Sequence, residues 1–176
     1  MKDELDRDAI AGRLRQSGHA PALSGTELSV LSTKGVSHDH WRVADTGMVL
    51  RIPRMNQWGL GAEDALAYQA AAFERAAASG HTPRCRAVIE PDNTLPRGAL
   101  LVDEIIGRAP ELPRDLPAIA ETLAAIHSLP VPADDQRAPL HIHRNPISST
   151  LQTIEEQAAF LTEAHLAPES EAGIRE

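Results

Sequence analysis

Three short apolar runs follow one another between residues 27 and 53, and their spacing limits the fold more than any other feature of the sequence. The runs are ELSVLS at 27–32, WRVAD at 41–45 and GMVLRIP at 47–53. Parallel neighbours need a crossover of about a dozen residues or more, so links as short as these require antiparallel pairing. The sequence therefore predicts an antiparallel meander in this region.

Helical and extended patterns are arranged in a definite order around this meander. The periodicity predicts helices over 3–17, 62–79, 115–128 and 150–165, and two further strands over 86–90 and 99–106. We therefore predict an α+β fold, with a five-stranded antiparallel sheet, one helix inserted after the third strand, and helices only thereafter. The composition changes after Gly107, which predicts two parts, residues 1–106 and residues 107–176.

Capping residues support two of these helices. Asp115 is placed to cap the helix that follows it, and Ser149 with Gln152 has the spacing of a capping box. Glycine in the position after a helix favours termination, which fits Gly18 and Gly80.

Charge and cysteine content exclude several classes of partner. The formal net charge is −8, whereas nucleic-acid binding depends mainly on clustered lysine and arginine. Cys85 is the only cysteine, so no disulfide can form within the chain, which fits a reducing compartment. No apolar run approaches the roughly 20 residues that span a bilayer. The acidic N-terminus lacks the apolar core of a signal peptide. We expect a cytoplasmic protein that binds neither nucleic acid nor membrane.

One arginine lies inside a predicted strand. Because side chains alternate along a strand, Met48, Leu50 and Ile52 share one face, while Val49 and Arg51 share the other. If that face is covered, the arginine needs an anionic or hydrogen-bonding partner. The alternative, that the guanidinium lies in solvent or reaches past a sheet edge, stays open at this point.

The loop before this strand pair has features of a phosphate-binding loop. Gly35 lets the backbone approach a ligand closely, and Ser37 supplies a small hydroxyl. Val43 and Val49 would lie on the two strands beneath the loop, where they would form an apolar lid over a flat base. Together with Arg51, these residues predict a nucleotide pocket.

Five segments, in order along the chain, resemble the aminoglycoside phosphotransferase and choline kinase family. They are GVSHDHWRV, MVLRIPR, ASGHTPR, LLVDEIIGR and LAAIHSLP. The resemblance covers roughly residues 25–130 and implies a protein-kinase-like fold. Residues 1–106 would be its N-terminal lobe, and residues 107–176 the hinge exit and an incomplete helical C-terminal lobe. It also implies ATP and Mg²⁺ as cofactors and a small hydroxylated acceptor as substrate.

The resemblance also implies roles for individual residues at the phosphate end of the nucleotide. Gly35, Val36 and Ser37 match the nucleotide-covering loop, and Lys34 is close enough in sequence to help. Arg51 stands where most members have a lysine that contacts the α- and β-phosphates. Arginine keeps a permanent cation there and offers a planar fork for phosphate oxygens.

Two further positions follow from the resemblance. The helix glutamate that holds the strand cation corresponds to Gln69, with Glu63 and Glu74 as alternatives if the helix register differs. The hinge, whose backbone groups pair with adenine, corresponds to Asp103, Glu104 and Ile105.

The catalytic motif of such kinases is not recognisable in this sequence. No His-x-Asp followed five residues later by Asn occurs after the expected hinge. We therefore expect the ATP-binding part of a small-molecule phosphotransferase that is inactive alone. The alternative is a non-catalytic kinase-like module that binds a nucleotide or a protein.

Two histidine pairs and the apolar stripes of the last helices give two further expectations. The histidine pairs His38 with His40, and His141 with His143, are weak candidates for metal binding, since neither has a second cluster of ligands. The apolar stripes of the last two predicted helices predict a homodimer.

Overall fold

A computed structural model describes residues 6–19, 24–31, 36–55, 59–140 and 145–163. The helices are α1 Arg7–Gln16, α2 Ala62–Ala77, α3 Leu116–His127 and α4 Pro146–Glu163, and the strands are β1 Leu28–Val30, β2 His38–Val43, β3 Met48–Pro53, β4 Cys85–Ile89 and β5 Ala99–Asp103. This confirms the predicted order of elements, including the helix between the third and fourth strands.

The five strands form one antiparallel sheet in the order β1-β2-β3-β5-β4. The first three strands make the predicted meander, in which Trp41 lies opposite Leu50 and Val43 opposite Met48. Strand β5 then inserts between β3 and β4, with Leu101 opposite Leu50. The predicted five-stranded antiparallel sheet is therefore confirmed.

Apolar clusters cover both faces of this sheet. One cluster joins α1 to the sheet through Ile10, Leu14, Leu50 and Leu101. The other joins α2 to the opposite face, and its buried members are Val49, Leu66, Leu100 and Val102. We call these the α1 face and the α2 face.

Strand β5 shows why both faces exist. Its residues Ala99 to Val102 are all buried, and they alternate between the two clusters. A continuous apolar run is the pattern of a strand covered on both sides. The sequence ALLV thus places β5 in the interior of the sheet, between β3 and β4.

The chain divides into two compact units, Met1–Leu140 and His141–Glu176. In the first unit the buried core ends with β5, because no described residue from 104 to 140 is fully buried. In the second unit α4 exposes its large apolar residues Ile147, Leu151 and Ile154. Among the described helices, none combines the length and hydropathy that crossing a bilayer requires.

Several predicted boundaries were wrong by a few residues. Strand β2 begins at His38 rather than at Trp41, because His38 already pairs with Pro53 across the meander. The polar sequence His-Asp-His hides this extension from a hydrophobicity pattern. Strand β5 ends at Asp103 rather than at residue 106.

The predicted caps of the last two helices also differ from the structure. Helix α4 begins at Pro146, and the Asn145 side chain accepts a hydrogen bond from the Ser148 N–H at 3.2 Å, so Ser149 lies inside the helix. Asp115 precedes α3 but its carboxylate caps nothing there. It instead forms an ion pair with Arg108, with an N–O distance of 2.7 Å.

Candidate functional site

Arg51 lies on the α2 face of the sheet, beside Val49 and across from Leu100 of β5. Its neighbours Leu50 and Ile52 point into the α1 face. The side chain is half-buried beneath α2, so the charge is on a covered surface rather than in open solvent. Burial lowers the pKa of the guanidinium, but an arginine stays protonated at neutral pH.

Three side chains contact the Arg51 guanidinium. Its Nη1 donates to the Gln69 Oε1 at 2.6 Å, and its Nη2 lies 3.2 Å from the His38 Nδ1. The ring of Phe73, one helical turn after Gln69 on α2, lies 5.5 Å from the guanidinium carbon. Hydrogen bonding and cation–π attraction therefore hold the cation in one place.

Arg51, Gln69 and His38 close a triangle of hydrogen bonds. The third side joins the His38 Nε2 to the Gln69 Oε1 at 2.9 Å. A guanidinium donates and never accepts, so the His38 Nδ1 must be the acceptor and its Nε2 must carry the proton. The Gln69 oxygen then accepts two hydrogen bonds, one from each partner.

Neutral groups hold Arg51 in this triangle. Within the described residues no carboxylate lies within ion-pair distance of its guanidinium. The structure brings Gln69 to Arg51, whereas Glu63 and Glu74 form no ion pair with it. Because an amide carries no net charge, the positive charge of Arg51 remains available to an anionic ligand.

His40 is a second histidine on the same face. It lies directly across the sheet from Arg51, and its ring is 6.2 Å from the ring of His38. Its Nδ1 is buried and has no hydrogen-bond partner among the residues that the structure describes. Burial first, and then the charge of Arg51, lower the pKa of both histidines.

Sequence reasoning considered these histidines only as metal ligands. Within the part of the chain that the structure describes, no three His, Cys, Asp or Glu side chains group as a metal site would need. His141 and His143 lie outside the described residues. Their spacing could have placed them together, because His38 and His40 are two residues apart and therefore share a face of β2.

The predicted apolar lid is wrong in one of its two residues. Val49 lies on the α2 face with Arg51, but Val43 belongs to the cluster on the α1 face. The register explains this, because Val49 pairs with Arg42 and Val43 pairs with Met48. The β2 residue directly opposite Val49 is therefore Arg42, which sequence reasoning missed.

The predicted nucleotide-covering loop is only partly described. Lys34 and Gly35 lie outside the described residues. Val36 is 73% exposed, and the Ser37 carbonyl accepts a hydrogen bond from the Arg54 N–H at 2.8 Å. This bond ties the end of the loop to the end of β3, three residues after Arg51.

Sheet contacts already use two of the three N–H groups of the predicted hinge. The Asp103 N–H donates to the Arg84 carbonyl at 3.0 Å, and the Glu104 N–H donates to the Gly47 carbonyl at 2.8 Å. Ile105 is 66% exposed and, among the described residues, makes no hydrogen bond. Of the three N–H groups, that of Ile105 is therefore the one left for a ligand.

Ion pairs fix the hinge side chains. The Asp103 Oδ1 lies 2.5 Å from the Arg86 Nε, and the Glu104 Oε1 lies 2.6 Å from the Arg42 Nη2. Arg86 lowers the pKa of Asp103, and Glu104 raises the pKa of Arg42, in each case chiefly through the side-chain hydrogen bond. The pair of Glu104 and Arg42 connects the hinge to the strand that lies beside Val49.

Comparison with families of known proteins gives a match over most of the chain. The profile of the phosphotransferase enzyme family, APH, matches residues 29–172, which is most of the chain. Searches of curated proteins and of solved structures each returned no match. The matched span includes the whole sheet apart from the first residue of β1, together with Arg51, Gln69 and the hinge. The resemblance seen in the sequence is thus confirmed, and the chain belongs to the phosphotransferase enzyme family.

Proposed function

We propose that this chain binds the phosphate groups of ATP on the α2 face of its sheet, with Arg51 as the principal cation. The observation that carries the proposal is the setting of Arg51, which is half-buried and is held by Gln69 and His38, with no compensating carboxylate in the described part of the chain. Buried charges are normally paired. A phosphate would supply the missing negative charge, and the guanidinium fork matches its oxygens.

The order of the elements supports separate roles for the two parts of the chain. Residues 1–106, with the sheet and α2, would act as the nucleotide-binding lobe of a protein-kinase-like fold. Residues 107–176 would begin the helical lobe that takes the acceptor. Arg51 on β3 and Gln69 on α2 correspond to the strand cation and the helix partner that kinases use to place the phosphates.

The reaction proposed for the family member is transfer of the ATP γ-phosphoryl group to the hydroxyl of a small acceptor. The described residues fit the phosphates of the nucleotide but do not fit a Mg²⁺ site, because they contain no cluster of three candidate ligands. The sequence also lacks the His-x-Asp and Asn pattern after residue 107. We therefore propose that this chain alone binds nucleotide with little or no phosphoryl transfer.

Calorimetry with ATP and Mg²⁺ on the purified chain tests the binding site. A hydrogen-bonded charge contributes enough that Arg51→Gln should weaken the affinity by about tenfold or more. Arg54→Gln is the matched control, since Arg54 follows β3 closely but is already paired with Asp39. Its effect should stay within about threefold, because surface ion pairs contribute little. Equal affinities of Arg51→Gln and the unaltered chain would remove Arg51 from the site.

A second candidate function is a kinase-like module that binds a nucleotide or a protein without catalysis. The missing catalytic motif favours it over a complete enzyme. Following ATP consumption with a panel of small hydroxylated amines separates both candidates from a complete enzyme. Turnover that Arg51→Gln abolishes would establish an active enzyme and contradict both candidates, whereas both expect nucleotide binding without turnover. Absence of ATP binding would leave only a module that binds a protein.

A further inference from the structure

We propose that His38 is a positioning residue of this site, whose neutral imidazole, together with Gln69, holds the Arg51 guanidinium in place while leaving its charge uncompensated for an anionic ligand. A proton on the His38 Nδ1 would open this arrangement. The inference rests on the proposed function for the identity of the ligand, but the geometry of the triangle does not depend on it.

The hydrogen bonds of the guanidinium support this role. Arginine has five N–H donors. One from Nη1 is used by Gln69 and one from Nη2 by His38, and within the described residues the guanidinium forms no other hydrogen bond. Three donors therefore remain for the oxygens of a phosphate, while the other two fix the plane of the guanidinium.

His38 is coupled to both other members of the triangle. Without its imidazole, Arg51 would keep one hydrogen bond, to Gln69, and the Gln69 oxygen would lose its second donor. Of the described side chains that contact the guanidinium, the ring of Phe73 alone would then restrain its rotation about that single bond. Holding a binding group in a fixed orientation reduces the entropy cost of binding.

Burial and then the charge of Arg51 favour the neutral form of His38. Its own strand contributes Asp39 and His40 as further titratable neighbours, and β3 contributes Arg51. Helix α2 contributes only the neutral side chains of Gln69 and Phe73. The Asp39 carboxylate is engaged by Arg54. A proton on the His38 Nδ1 would face the Nη2 donor of Arg51 at 3.2 Å, and the opposing attraction of Asp39 is weaker than this repulsion.

Affinity measurements with ATP and Mg²⁺ at neutral pH test the positioning role in His38→Ala and His38→Gln. Glutamine has an acceptor for Arg51 and a donor for Gln69, so it should restore the triangle. His38→Ala should lose about tenfold in affinity, and His38→Gln should stay within about threefold of the unaltered chain. A loss in His38→Gln as large as in His38→Ala would overturn the proposal.

His40→Ala is the matched control for these variants. His40 lies on the same strand and face, is also half-buried, and forms no hydrogen bond with Arg51. Its effect on affinity should be no more than about threefold, as for a substitution away from the triangle. If His40→Ala weakens binding as much as His38→Ala, the effect is general to this face and the proposal fails.

Nitrogen-detected NMR of the free chain tests the same inference without any ligand. The His38 imidazole should be protonated on Nε2 at neutral pH and should titrate below its ordinary pKa of 6.5. In Arg51→Gln the His38 pKa should rise, because the nearby cation is removed. Protonation on Nδ1, or an unchanged pKa in Arg51→Gln, would refute the triangle even if ATP binds. Absence of ATP binding with the expected spectra would refute the proposed function alone.

Discussion

His38 and His40 face Arg51 from the same strand, and both carry their ring in a half-buried position. Burial and the guanidinium lower the pKa of each ring below its ordinary value of 6.5. The unfolded chain therefore takes up these protons at a higher pH than the folded chain does. The contribution of the two neutral histidines to the stability is fully present above about pH 6.5. It is lost progressively as the pH falls towards their lowered pKa values.

We expect the melting temperature to fall between about pH 7 and pH 5, in the range where histidines titrate and most carboxylates do not. The double substitution of His38→Gln and His40→Gln should flatten this dependence. Thermal unfolding followed by circular dichroism across that pH range measures it. A chain whose double variant keeps the full pH dependence would show that other groups are responsible.

Carboxylates affect the stability of the fold in a lower pH range than histidines do. Asp92 and Asp115 have a lowered pKa, chiefly through a hydrogen bond from the Leu95 N–H in the first case and from Arg108 in the second. Their contribution is present above the ordinary aspartate pKa of about 4 and is lost as the pH falls further. Their side chains are 34% and 20% exposed, and ion pairs this near the surface contribute little, so the effect should be small.

The turn between β4 and β5 depends on one glycine. Gly98 has a φ of +62°, and a Cβ added there would lie 2.5 Å from the Ile89 carbonyl oxygen and 2.7 Å from the Leu66 Cδ2. The first of these contacts is with the backbone of β4, which cannot move without disturbing the sheet. Gly80, after α2, has a φ of +74° but nothing within 4 Å of such a Cβ.

We therefore expect Gly98→Ala to destabilise the fold by more than Gly80→Ala does. The shared backbone conformation costs roughly 1–2 kcal/mol for a residue with a Cβ. Only Gly98→Ala adds the contacts with Ile89 and Leu66. Urea denaturation of both variants measures the difference, and equal losses of stability would contradict the close approach of β4 to this turn.

Helix α2 is held to the sheet through Leu66, which is 1% exposed. Leu66→Ala should cost about 2–5 kcal/mol, because it removes buried methyl groups and leaves a cavity between the helix and strands β3 and β5. Leu116→Ala on α3, where the side chain is 49% exposed, should cost well under half of that. Urea denaturation tests this pair, and similar costs would show that α3 is packed as tightly as α2.

Burial is distributed unevenly along the whole chain. Every fully buried residue of the described part lies before Glu104, while later helices keep large apolar side chains exposed. Leu123 on α3 is 51% exposed and Ile154 on α4 is 56% exposed. Exposed apolar stripes of this kind favour contacts with other protein surfaces. The homodimer expected from the sequence stays a prediction.

We expect the purified chain to self-associate with increasing concentration. Leu151→Glu together with Ile154→Glu should weaken this association, because it places charges on the exposed stripe of α4. Analytical ultracentrifugation over a range of concentrations measures it. A chain that remains monomeric at high concentration, or a double variant that associates as strongly, would contradict the role of α4.

The sequence by itself determined the order of elements and the antiparallel sheet, because short links and alternating apolar residues leave few other arrangements. It also identified Arg51 as a charge within an apolar strand, because such a charge is visible without coordinates. Only the tertiary structure decided which residues meet across strands. It placed Val43 on the opposite face from Val49, and it joined His38 to Gln69 through contacts 31 residues apart in sequence. Register and helix docking depend on packing between distant segments, and no local pattern contains that information.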